Sequence, residues 1–181
     1  MSSECIIRRA TPEDAARLGE IHVFGWRMAY RGLVSDEILF GKLRVVKRAE
    51  AFRKVLEEGS EETYVAESEG ILRGFMTIGD CRDPDKGPDA FELWGIYVDP
   101  CFLRGGYGSR LLQFCEAEAR SRGRSELLLW VFEENPRARA FYEKQGLCPD
   151  GKRQLIEGLG AYEVRYAKHL VGTIAGERAR P

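Results

Sequence analysis

The sequence predicts a mixed α/β sheet with helices on both faces. Three observations carry that reading. Strand and helix patterns follow one another in the order β-α-α-β-β-β-α-β-α-β-β, strands outnumber helices, and the early strands pair as a hairpin. The 181 residues amount to about one domain at roughly 150 residues each. A chain of this size buries about 70% of the surface it exposes when unfolded, enough to fold without a metal or a disulfide. One domain is expected over residues 4–170, with a loose tail from Val171 to Pro181.

Cys5 to Ala10 alternates weakly and reads as the first strand. Thr11 is a candidate helix cap, with Pro12 at the first helical position and Glu13 and Asp14 in the first turn. Ala15, Leu18, Ile21, His22, Gly25, Trp26 and Ala29 then recur at helical spacing. A second helix runs from Val45 to Glu58 and closes at Gly59. Thr63 to Glu67 and Ile71 to Gly79 flank the turn Glu69-Gly70 as a hairpin. A polar loop with two prolines and four aspartates, Asp80 to Asp89, leads into the strand Phe91 to Asp99, which Pro100 stops. Gly105 to Gly123 is the clearest helix, its stripe formed by Tyr107, Leu111, Leu112, Cys115 and Ala119. Glu126 to Phe132 is nearly all apolar, the pattern of a strand buried on both faces. Asn135 caps a helix that starts at Pro136 and ends at Gly146. Strands over Leu147 to Gln154 and Ala161 to His169 complete the fold.

Two segments carry chemistry. Leu103-Arg104-Gly105-Gly106-Tyr107-Gly108-Ser109 lies between a strand and a helix. Its glycines permit positive φ and close approach of a ligand, and the loop amides with the helix N-terminus form an anion site suited to a diphosphate. Arg104 and Arg110 add charge. The same glycines would also serve a plain strand-to-helix turn. No Gly-Lys-Ser/Thr follows, so this is not a P-loop, and the third glycine of a dinucleotide fingerprint is missing. The second segment is Asn135 through Leu147, with Phe141-Tyr142 in its middle.

Together these segments resemble the GCN5-related N-acetyltransferase (GNAT) family. Gly106-Tyr107-Gly108 is similar to the end of its R/Q-x-x-G-x-G/A acetyl-CoA loop, with Leu103 where Arg or Gln is usual. Asn135 to Leu147 resembles its N-x-x-A-x-x-F-Y-x-x-x-G-F segment, and Glu92 to Pro100 its fourth strand and following turn. The resemblance implies a mostly antiparallel sheet of six or seven strands in which two central parallel strands, Phe91 to Asp99 and Glu126 to Phe132, splay apart to admit acetyl-CoA. Ile96, Tyr97 and Val98 would then offer backbone groups to its pantetheine arm, residues 103–109 would hold its phosphates and Asn135 would bond its amide arm.

An amine with a pKa near ~10 must lose a proton before it attacks a thioester. Glu92 matches the family's fourth-strand glutamate and would take that proton. A backbone amide near Ile96 would steady the oxyanion. Tyr142 matches the family's tyrosine that serves the leaving thiolate, with Phe141 packing into the core beside it. The expected activity is direct acetyl transfer to a primary amine, of a small molecule or of a peptide or protein N-terminus. A silent acyl-CoA-binding module is the alternative, and an interaction protein a third reading. The resemblance places the acceptor site at the first helices and last strands, where Trp26, Tyr30, Trp94 and Tyr162 are the candidates, although core packing is the readier explanation of the helical aromatics. Dimers are frequent in the family, which leaves a homodimer open.

Other classes are disfavoured. A net charge of −1 gives no broad basic field for nucleic acid. The longest apolar run, Leu127 to Phe132, is far short of the ~20 residues that span a membrane. Met1 to Glu4 lacks the layout of a signal peptide. Five unpaired-looking cysteines and two distant histidines give no zinc spacing and no disulfide framework, so no metal and a reducing cytoplasm are expected. No histidine lies near Cys101 or Cys115 in sequence to make either a nucleophile.

Overall fold

The computed structural model describes residues 4–170; the tail expected over residues 171–181 lies outside them. Strand β1 (Cys5–Arg9) leads through a 3₁₀ turn at Pro12–Asp14 into α1 (Ala15–Ala29), a π turn at Glu37–Lys42 and α2 (Val45–Glu58). β2 (Glu62–Ser68), β3 (Ile71–Asp80) and β4 (Ala90–Val98) follow. Then come a 3₁₀ turn at Pro100–Phe102, α3 (Tyr107–Ser121), β5 (Glu126–Phe132), α4 (Pro136–Lys144), β6 (Cys148–Ile156) and β7 (Ala161–His169). The seven strands form one sheet in the order β1-β2-β3-β4-β5-β7-β6, and every adjacent pair is antiparallel except β4 with β5.

Local chemistry sets these boundaries. Glu69 and Gly70 take φ of 55° and 70°, the doubly left-handed turn that matches the twist of a β2–β3 hairpin. The helix expected from Gly105 begins at Tyr107, because Gly106 caps it with φ 82°. The helix expected from Pro12 opens as a 3₁₀ turn, in which the Asp14 carboxylate accepts from the Thr11 N–H at 2.8 Å. The π turn at Glu37–Lys42 has no periodic signature in the sequence and was not expected.

Two cores cover the two faces of the sheet. On one, Leu111, Leu112, Cys115 and Ala119 of α3 and Tyr142 of α4 pack on Met76, Ile78, Phe91, Leu93, Leu127, Leu129 and Tyr166. On the other, Leu18, Ile21 and Phe52 of α1 and α2 pack on Val65, Leu72 and Phe75. The two helices approach closely at Gly19, where a Cβ would stand 2.9 Å from the Ala49 nitrogen.

His22 is buried in this second layer, with ring centroids at 4.8 Å from Tyr97, 5.3 Å from Trp26 and 6.0 Å from Phe52. Burial, reinforced by the nearby Arg48 charge, lowers its pKa from 6.5 to about 3. Between those values the unfolded chain binds a proton that the folded chain refuses. Stability therefore falls as pH drops from 6.5 toward 3, by about 2 kcal/mol at pH 5 from this residue alone. Urea midpoints of wild type and His22→Gln at pH 7 and pH 5 check this. The wild type should lose more stability on acidification, and equal losses would contradict the assignment.

Candidate active site

The parallel pair is short. β4 and β5 are in register only from Ala90 opposite Glu126 to Leu93 opposite Leu129. Across β3, Thr77 faces Gly95 while Ile78 faces Leu93, so Trp94 is an extra residue that bends β4 away. Gly79 leaves room for the displaced indole: a Cβ there would stand 2.7 Å from the Trp94 ring. Beyond the bulge, Gly95 to Val98 stay paired with β3 but have no partner on β5. Backbone groups of Ile96, Tyr97 and Val98 on that side are open to the gap, which is the expected splay.

The glycine segment closes one end of the gap. Arg104 and Gly106 both take left-handed φ, 65° and 82°, and α3 begins directly after them. The first N–H groups of α3 have no intrahelical acceptor. A Cβ on Gly106 would meet nothing within 4 Å, so the cradle faces open space. Arg104 and Arg110 are exposed and make no ion pair among the described residues. A cradle of amides and two uncommitted guanidinium groups fits a phosphate-bearing ligand. Gly108 lies against the end of β4 and against α4, where its Cβ would be 3.4 Å from Phe141 and 3.7 Å from Val98. Ser109 accepts from the Gln145 amide at 3.3 Å, tying α3 to the end of α4.

Asn135 caps α4, its Oδ1 accepting from the Ala138 N–H at 3.1 Å. That use leaves its amide NH₂ as a donor. Phe141 is only half-buried and packs over the glycine loop, whereas Tyr142 is buried in the main core, the reverse of the relative depth expected. The Tyr142 hydroxyl has no hydrogen-bond partner among the described residues, and burial raises its pKa, so it stays protonated at neutral pH.

On the α1 face of the sheet lies a pocket of about 370 Å³, lined by Arg82, Asp83, Glu92, Trp94, Trp130, Gln154 and Glu163. Glu92 is 2% exposed at its floor. Its Oε2 accepts from the Arg82 backbone N–H at 2.9 Å and from Arg82 Nε at 3.1 Å, and its Oε1 accepts from the same guanidinium. Arg82 itself is 58% exposed along its side chain and lies 4.5 Å over the Trp94 ring. Arg165, 3% exposed, anchors the wall: it pairs with Asp83 at 2.9 Å, Asp85 at 2.8 Å and Asp150 at 2.7 Å. The Trp130 indole N–H also donates to Asp83, at 3.1 Å.

The acceptor candidates are spread around this pocket. Trp94 lines it. Trp26 donates to the Tyr97 hydroxyl at 3.2 Å, and Tyr30 packs 4.6 Å from Phe132, both in an aromatic cluster at the end of α1. Tyr162 lines a separate recess of about 50 Å³ with Leu33, Phe132 and Glu134. Arg82, Asp83, Trp130, Gln154 and Glu163 were missed. The spacing of Glu163 and Arg165 on β7 was the available signal, since it places two charges on the same face as Trp130.

The model of the acetyltransferase (GNAT) family matches residues 26–147. A protein of Mycobacterium tuberculosis, named as a probable N-acetyltransferase, is 32% identical over 151 residues, 81% of each chain. The N-acetyltransferase PaiA of Thermoplasma acidophilum, solved in complex with coenzyme A, superimposes with a TM-score of 0.72 at 21% identity, covering 90% of this chain and 98% of that one. The yncA protein of Salmonella typhimurium, solved with its cofactor acetyl-CoA, gives 0.67 at 20% identity over 99% and 98% of the two chains. Among the described residues no helix is long and apolar enough to cross a membrane.

Proposed function

The chain belongs to the acetyltransferase (GNAT) family, and on that premise we propose that it transfers the acetyl group of acetyl-CoA directly to a primary amine held in the pocket above Glu92. One observation carries the reading. The gap between β4 and β5 opens toward the glycine cradle at one end and lies beside a pocket with carboxylates at the other. A thioester laid along β4 would then meet an amine from the opposite face.

Each residue has a task in this scheme. The amides of residues 106–109 and the charges of Arg104 and Arg110 bind phosphate, the Gly105 N–H being already donated to the Phe102 carbonyl. Asn135 NH₂ and the open backbone of Ile96 to Val98 orient the amide arm. An N–H near Ile96 steadies negative charge on the acyl oxygen. Glu92 takes the amine's proton, directly or through water, at Oε1, which accepts one hydrogen bond from Arg82 and keeps a second lone pair while Arg82 stays in place. Tyr142 donates to the leaving sulfur.

The test is calorimetry with acetyl-CoA, followed by a CoA-release screen over small amines, amino acids, peptides and protein N-termini. Gly106→Trp should weaken acetyl-CoA binding at least about tenfold, because a large side chain fills the space the amides face and strains a left-handed position. Unchanged affinity would remove the loop assignment. The grip of Arg82 on both Glu92 oxygens favours a second reading, a silent acyl-CoA-binding module. Acetyl-CoA binding without CoA release for any amine would select it.

A further inference from the structure

The pocket contains three carboxylates, and two are already committed. Glu92 is held by Arg82 through both oxygens, and Asp83 by Arg165 and the Trp130 indole. Glu163 is different. It sits on β7 opposite Phe132, the last residue of β5, and lines the pocket. Its one side-chain hydrogen bond is a 3.4 Å contact from Gln154, and no cation lies within 4 Å of it among the described residues. A half-buried carboxylate with no direct ion pair, facing the negative Glu92 and only the more distant charge of Arg82, is costly, and an arriving cation repays that cost.

The other lining groups point the same way. The Trp94 ring is already covered by the Arg82 guanidinium, 4.5 Å from its centre, so it supplies apolar wall and leaves the incoming cation to Glu163. Among the described residues Arg82 is the one cation lining the pocket, and its guanidinium holds Glu92. No second cation among the described residues lines the pocket to receive an acceptor's own carboxylate, which would instead face Glu163 and Asp83.

We propose that Glu163 is the specificity-determining residue of the acceptor pocket, and that it selects an amine that enters as a cation and carries no carboxylate beside the amino group. Glu163 receives the ammonium, the two tryptophans flank its apolar body, and Glu92 removes the proton. The identity of the attacking group rests on the acetyl-transfer reading; the charge preference of the pocket does not.

The experiment compares 2-phenylethylamine, phenylalaninamide and phenylalanine, which share a ring and differ in the carboxylate. Binding is measured by calorimetry with CoA present, and turnover by CoA release. The first two should bind at least about tenfold more tightly than phenylalanine. Glu163→Gln should raise their KM about tenfold, leave kcat within about threefold, and remove most of the preference over phenylalanine, whereas Glu163→Asp should retain it. Equal or tighter binding of phenylalanine, binding of none of the three, or an unchanged preference in Glu163→Gln would overturn the proposal. Selective binding of the carboxylate-free amines without CoA release would uphold it and count against acetyl transfer instead.

Discussion

Glu92→Gln should lower turnover about 10²- to 10⁴-fold at neutral pH and leave acetyl-CoA affinity nearly intact. The amide is isosteric with the carboxylate but cannot take a proton. It can still accept one hydrogen bond from Arg82, so the pocket floor keeps its shape. Glu92 lies on the α1 face of β4, while the phosphate cradle lies at the start of α3, so cofactor affinity should not follow the charge. The deficit should shrink at high pH, because an amine with a pKa near ~10 then reaches the pocket already neutral. Pre-steady-state CoA release across pH 7–10 measures both points. Wild-type turnover at pH 7 would transfer the base role to another group or to a water chain, and a deficit constant across pH would make Glu92 a positioning residue.

That prediction rests on a residue legible in the sequence; the group that holds it was not. The strand Phe91 to Asp99, the glycine loop and the Asn135 helix were readable because each is local, with alternation, a left-handed turn and a cap within a few residues. The boundaries of α2, β5 and β7 agree with the sequence pattern for the same reason. The pocket is a product of distant contacts. Arg165 reaches Asp83 and Asp85, about eighty positions earlier, and draws the 81–89 loop over the sheet. In the sequence that loop is only polar and acidic, and the charges of β7 resemble a solvent-facing strand. The bulge at Trp94 was equally hidden, because a strand with one extra residue keeps its composition and loses only its register. Aromatic acceptor candidates drawn from the segments that the resemblance points to are accordingly spread around the pocket, and Trp94 alone of the four lines it.

Tyr142→Phe should lower turnover about 10²-fold while the protein folds as before. The ring is buried against the α3 side of the core, 6.3 Å from Tyr166 and 5.2 Å from Phe141, and phenylalanine preserves those contacts. The hydroxyl has no partner among the described residues, so its removal orphans no other group. Burial raises the phenol's pKa, which fixes how it can help. A phenol of this kind gives up its proton reluctantly to a thiolate whose acid titrates near ~8.5, so its contribution is a strong hydrogen bond to sulfur as the charge develops, with solvent completing the protonation. Two consequences separate this from packing. An acyl donor whose thiol is more acidic needs less help, so the Tyr142→Phe deficit should narrow with it, and a cavity or a loosened core would slow both donors alike. The thermal midpoint should also stay within a few degrees of wild type. Full turnover by Tyr142→Phe would make the ring a packing element and leave the sulfur to solvent alone.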